Sequence, residues 1–267
     1  TGDQSHVSSD ARLPVRLRRV SAHRLLVCFC LVAVGFAPVA ALAQFRGRFA
    51  RYPNVPYDGQ FTIVRVSYQR YGGWAADYPL MERNLSTILR DVTSLTPHTT
   101  GSNVHTFDEP ELLRYPIAYL SEPGYWYPSD SEVAGLRHYL DKGGFLIVDD
   151  FHFDNEWLVF ERAMRRVRPD GQIVRLELSH PIFNTFFQIK SLRVPYPGRL
   201  GEMGLHGEFF GLHRDNDPAH ELQVVINYNI DLGDYVEWSA EQNVYALVPT
   251  NEAYKFMVNY VMYGFTH

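Results

Sequence analysis

Cysteine is nearly absent. The 267 residues hold two, Cys28 and Cys30, and both lie in an apolar run near the N-terminus. From Gln44 onward there is no thiol, which excludes disulfides, zinc-thiolate sites and cysteine nucleophiles together. Three catalytic signatures are missing too. No G-x-S-x-G marks a serine-hydrolase elbow, His220-Glu221 lacks the second histidine of H-E-x-x-H, and no G-x-x-x-x-G-K-[ST] cradles a phosphate. Positive charge is also scarce. Of 25 basic and 30 acidic residues, five arginines and two aspartates precede Gln44, leaving 20 and 28 beyond it, a net charge of −8. That balance disfavours nucleic acid or anionic lipid as a partner.

What is present begins with an address. Arg12, Arg16, Arg18, Arg19 and Arg24 precede the apolar run 25–37, and Ala41-Leu42-Ala43 follows before Gln44. This order predicts a signal peptide over residues 1–43, hence an exported, periplasmic protein. The charge-free stretch from Arg24 to Arg46 is also long enough for an uncleaved inner-membrane anchor. In both cases the arginines keep the N-terminus in the cytoplasm and the remainder faces outward, so membrane contact is confined to this segment. Residues 44–59, rich in Arg, Pro and Gly without periodicity, read as a linker. Residues 60–267 have single-domain length and ample apolar residues for a core.

Within that domain strands alternate with helices. Residues 61–68 read as a strand, and Leu85, Ile88, Leu89, Val92 and Leu95 form the apolar stripe of a helix. Residues 117–120 are a short buried strand. Ser129 with Glu132 makes a capping box, Val133, Leu136 and Leu140 supply the buried face, and Gly143-Gly144 stops that helix. Residues 145–148 form the central strand. Trp157, Phe160, Met164 and Val167 mark the next helix, with Arg162, Arg165, Arg166 and Arg168 on its solvated face. Residues 173–178 and 222–228 add strands, and Ala253, Phe256, Met257, Tyr260 and Val261 a closing helix. The alternation predicts an α/β fold, doubly wound about a mostly parallel sheet. Between 195 and 221 the pattern breaks at Gly198, Gly201, Gly204, Gly207 and Gly211, where a flexible lid is expected.

The run Phe145-Leu146-Ile147-Val148-Asp149-Asp150-Phe151-His152 places carboxylates and a histidine at the end of a buried strand. In an open parallel sheet that edge is where ligands bind. Loops after the strands at 61–68, 117–120 and 145–148 bring three groups to this rim: Tyr68, Tyr71 and Trp74; Tyr125, Trp126 and Tyr127; Asp149, Asp150, His152, Asp154 and Trp157. Aromatic faces beside carboxylates suit a sugar or polyol, and lid packing is the other reading of the same rings. Asp150 and His152 are the candidate acid and base, or ligands of a divalent metal. Successive strand residues face opposite ways, so one of Asp149 and Asp150 meets the pocket while the other serves a helix cap or backbone amide. His180, before Pro181, is a further candidate ligand or a hydrogen bond fixing its turn. Asp231, Asp234 and Glu237 follow the strand at 222–228. If that strand runs parallel to the central one, Asp231 and Glu237 share its pocket, and if antiparallel they lie at the far end. His206, Glu208 and His213 would join only if the glycine-rich segment folds over.

The ordered set Phe61-Thr62-Ile63-Val64-Arg65-Val66-Ser67-Tyr68, Trp74, Gly143-Gly144-Phe145-Leu146-Ile147-Val148-Asp149-Asp150, His180-Pro181-Ile182-Phe183, Asn229-Ile230-Asp231-Leu232-Gly233-Asp234 and Asn251-Glu252-Ala253-Tyr254 resembles the bacterial domain-of-unknown-function family 4159. The resemblance implies a flavodoxin-like fold of the class I glutamine-amidotransferase-like superfamily, with distant similarity to trehalose-utilisation-type proteins and with cell-envelope partners. Amidotransferases carry their cysteine at a strand-to-helix elbow. The matching region here, residues 149–152, has none, so glutamine hydrolysis through a thioester is excluded. What remains is a ligand-binding or assembly domain, or alternatively a metal-assisted hydrolase or carbohydrate-modifying enzyme using Asp149, Asp150 and His152.

Overall fold

The computed structural model describes residues 53–68, 73–241 and 244–267. The leader, most of the linker and Tyr71 lie outside them. Among the described residues no helix is long and apolar enough to cross a membrane.

Seven strands form one sheet: β1 (Val64–Val66), β2 (Asn103–His105), β3 (Ile117–Ser121), β4 (Phe145–Asp149), β5 (Val174–Arg175), β6 (Glu208–His213) and β7 (Leu222–Tyr228). Their order is β2-β1-β3-β4-β7-β6-β5. The first five run parallel, with Ser121 opposite Asp149 and Val148 opposite Ile226, while β6 pairs antiparallel with β7 and β5 antiparallel with β6. The helices are α1 (Leu80–Val92), α2 (Asp130–Asp141), α3 (Phe153–Val167), the short α4 (Arg199–Glu202), α5 (Leu232–Glu237) and α6 (Leu247–Thr266).

Every residue of β3, β4 and β7 is buried, as expected of strands covered on both faces. Ile63, Ile117, Tyr119, Phe145, Ile147 and Val225 share one core with Met81, Leu85 and Leu89 of α1 and with α5 and α6. The alternate residues, among them Val66, Leu120, Leu146, Val148 and Ile226, point to the other face, towards α2 and α3. The capping box forms as read: Ser129 accepts the Glu132 N–H and Glu132 accepts the Ser129 N–H. Gly143 takes φ +88°, which ends α2. The arginines of α3 lie on its solvent side, where Arg165 pairs with Glu161, Arg166 with Asp130 and Arg168 with Asp141.

Four expectations change. Residues 61–68 keep a ladder only at Val64–Val66, with Phe61 making an isolated bridge to Pro97. The edge strand β2 was hidden by its polar ends. Asn103 binds the Val55 N–H and the Tyr115 hydroxyl, and His105 pairs with Glu109. The strand expected at 173–178 contracts to two residues. The glycine-rich segment contains β6 rather than a structureless lid. Gly211 sits inside that strand, where Leu222 and Leu176 fill the space a Cβ would need. The described end of the linker also docks, Asn54 exchanging hydrogen bonds with the backbone of Val104.

Candidate functional site

β4 ends in two carboxylates with different surroundings. Asp149 is fully buried and saturated: it accepts the Tyr119 hydroxyl at 2.6 Å, Asn227 Nδ2 at 3.0 Å and the Gly233 N–H at 2.9 Å. Burial pushes it up to about 6, and these three donors hold it back. Asp150 follows with φ +61°, which turns the chain out of the sheet. Phe151 returns to the core and bridges Ile230, and His152 occupies the cap position of α3. Asp150 has long contacts to Tyr196 Oη at 3.3 Å and Ser121 Oγ at 3.4 Å, and it shares a hydrogen bond with the Asp231 carboxyl group.

Because β7 is parallel to β4, the turn after it leaves at the same rim. There Asp231 caps α5 by accepting the Asp234 N–H at 2.7 Å. The loop after β1 delivers Asp77, with φ +63°. Asp77, Asp150 and Asp231 each offer an oxygen within 4.8 Å of the others, and Asp77, Asp234 and Glu237 form a second such group. Burial first, then the neighbouring carboxylates, raise Asp150 and Asp231 well above the usual carboxylate range, and burial with Asp77 beside it brings Glu237 to about 8. Among the described residues no lysine or arginine forms an ion pair with any of these five. No donor among them reaches the buried Asp77 Oδ2.

A buried cation lies beneath the rim, near enough to act on Asp77 and Glu237 through space while its ion pair goes to another carboxylate. Arg65 of β1 is wholly enclosed, pairs with Glu82 of α1 at 2.6 Å and rests over the Tyr119 ring at 4.6 Å. Its Nη1 donates to the carbonyls of Trp74 and Ala76, which holds the loop that carries Asp77. Gly233 closes the floor. A Cβ there would lie 2.5 Å from Tyr119 Oη and 3.1 Å from Asp77 Oδ2.

From β1 to the last turns of α6 these segments span one continuous match, residues 62–265, to a family model described as Domain of unknown function (DUF4159). The chain belongs to the DUF4159 family. No curated protein matches it.

This DUF4159 domain brings together Asp150 after β4 with Asp231 and Glu237 at the two ends of α5, and Asp77 from a third segment lies between them. It does not bring Trp74 or Trp126 to the same surface, whereas Tyr125 and Tyr127 are exposed. Trp74 and Trp126 are core residues, 1% and 0% exposed, and Trp126 packs on Phe107, so neither offers an open ring face. His152 belongs to neither carboxylate group. Its Nδ1 lies 3.6 Å from Glu156 and its ring abuts Tyr196, because the turn at Asp150 sends it to the start of α3. His180 lies at the opposite end of the sheet beside His213, which pairs with the first residue of β7. Glu208 is at the rim but binds Asn229.

Sequence reasoning missed Asp77, Arg65 and Glu82. The available signal for Asp77 was its place in a loop after a parallel strand, overshadowed by Trp74 three residues earlier. Backbone strain marks the same place. Of seven non-glycine residues with positive φ, Asp77, Glu122, Asp150, Phe153 and Asn229 all follow the rim ends of strands. Such conformations cost about 1–3 kcal/mol each and gather at functional sites.

Proposed function

We propose that this DUF4159 protein is an exported envelope binding domain whose carboxylate rim takes a divalent cation, alone or as the anchor for a polyhydroxylated ligand. The observation that carries the reading is the Asp77, Asp150 and Asp231 oxygens, mutually within 4.8 Å and, among the described residues, in no ion pair with a lysine or arginine. Hard cations take oxygen ligands at about 2.0–2.6 Å, so ligands across one ion lie up to roughly 5 Å apart, which these oxygens match. Asp77 would be shared with the Asp234 and Glu237 group, leaving room for a second ion. That sharing favours a metal-assisted hydrolase as the second reading, because paired ions can clamp attacking and leaving oxygens. In either reading Asp150 acts as a ligand and His152 stands outside the first set.

The finer fold assignment, flavodoxin-like and glutamine-amidotransferase-like, is supported by the parallel order β2-β1-β3-β4-β7, which follows the flavodoxin pattern 2-1-3-4-5. The likeness to trehalose-utilisation-type proteins rests on the Gly-Gly strand and His-Pro-Ile run alone. Export rests on the arginine-led apolar segment.

The test is calorimetry and thermal melting of chelator-treated protein with Ca²⁺, Mg²⁺, Mn²⁺ and Zn²⁺, and with spermidine and neutral sugars as separate arms. A divalent ion should raise the melting temperature, and Asp77→Asn and Asp150→Asn should each abolish the effect. A response to spermidine alone, or an ion response indifferent to both substitutions, would reject the reading.

A further inference from the structure

At the end of the sheet away from the carboxylates, two histidines join separate segments. His213 ends β6 opposite Leu222, and His180 precedes the 3-10 turn Pro181–Phe183, whose Ile182 and Phe183 are core residues. Nδ1 of His180 accepts the Ile182 N–H at 3.2 Å, and its Nε2 lies 3.2 Å from Nε2 of His213. An accepting Nδ1 carries no proton. Neutral His180 therefore bears its proton on Nε2 and donates it to His213, which must accept there and hold its own proton on Nδ1. This placement satisfies the contacts only while both rings are neutral. A proton added to Nδ1 of His180 would face the Ile182 N–H, and one added to Nε2 of His213 would face the N–H of His180.

We propose that His180 and His213 form an acid-released latch that holds residues 176–183 to the end of β6. The groups around it decide the direction. His180 faces His213 from β6, and Tyr263 and His267 from the end of α6. His213 faces Asp217 from the turn beyond β6 and shares a cavity wall with Arg137, Asp141, Arg168, Asp170, Arg214 and Asp215, whose charges balance. Burial and the two neighbouring histidines push His180 down to about 4, and burial lowers His213 although Asp217 opposes it. Both groups are thus depressed in the fold. Their contribution is present above the ordinary histidine value near 6.5 and is lost as pH falls towards 4. Ser179, Pro181, Asn184, Thr185, Met262 and His267 line a cavity of about 480 Å³ beside the latch, and release would widen it.

Hydrogen exchange read by mass spectrometry on the whole protein, corrected for intrinsic rates, tests this between pH 7.5 and 5.0. Each proton taken up on opening makes the opening constant of residues 176–183 rise by up to about tenfold per pH unit below 6.5, so the two rings together give at most about a hundredfold, while peptides from β4 stay protected. His213→Gln keeps an acceptor that does not titrate and should flatten the dependence. His180→Asn, which still caps the Ile182 N–H, should do the same and serves if the first variant does not fold. Exchange independent of pH, a rise shared equally by β4, or variants that retain the wild-type dependence would overturn the latch.

Discussion

Asp231 shows what the rim asks of a single side chain. Its carboxylate caps α5, so it must accept a hydrogen bond, yet it faces Asp150 and Asp77 with no basic residue between them. Asparagine can cap equally well but carries no charge. Asp231→Asn should therefore raise the melting temperature of ion-free protein at pH 8, change it little at pH 5, and abolish the response to divalent ions. A lower melting temperature at pH 8 would show that the carboxylates do not repel. The wild-type pH dependence follows from Glu237 at about 8 and Asp149 at about 6. Both are raised, so the fold keeps protons that the unfolded chain, with carboxylates near 4, has released. That stabilisation is full below pH 4 and is lost as pH rises through 6 and 8. Melting temperature in chelator should thus fall from pH 6.5 to 8.5 and become nearly level with saturating Ca²⁺. A level curve in chelator would contradict the assignment.

At the scale of elements, what the sequence discloses tracks how strongly one force dominates. The apolar runs Val224-Val225-Ile226 and Phe145-Leu146-Ile147-Val148 name β7 and β4 because burial on both faces leaves mostly one kind of residue. β2 and β6 were illegible for the opposite reason: Asn103 and His105 are buried through specific hydrogen bonds, and the glycines around β6 mimic loop punctuation while Gly211 serves close packing. The direction of β7 was the hinge of the site, since pairing direction has no local signature. Once β7 is parallel, α5 must begin beside Asp150. Its first turn has no room to spare. Gly233→Ala would drive a Cβ into Tyr119 Oη and towards Asp77 Oδ2, with overpacking that costs about 1–3 kcal/mol. Denaturant unfolding should show that loss, and calorimetry should show a larger fall in ion affinity than at Gly143→Ala, a strained but distant site.

Across the whole molecule, one buried polar chain ties the rim to both helical layers' common sheet. Glu82 of α1 holds Arg65 of β1, Arg65 lies on Tyr119 of β3, Tyr119 donates to Asp149 of β4, and Asp149 receives Asn227 of β7 and the first turn of α5. Tyr260 of α6 completes it by donating to Asn227. None of this was visible in the sequence, where Arg65 reads as one charge in an apolar strand and Glu82 as the first turn of a helix. Breaking a buried pair strands a charge and typically costs about 3–5 kcal/mol, whereas replacing both partners with apolar groups restores much of it. Arg65→Met should therefore destabilise by about that amount in denaturant unfolding, and Arg65→Met with Glu82→Leu should recover a large part. Stability and binding ought then to separate. The double variant still lacks the donor that holds the Trp74 and Ala76 carbonyls, so Asp77 is no longer fixed and ion affinity should stay low although the fold is restored. A double variant that binds ions as the wild type does would show that Arg65 supports the fold and has no part in setting the site.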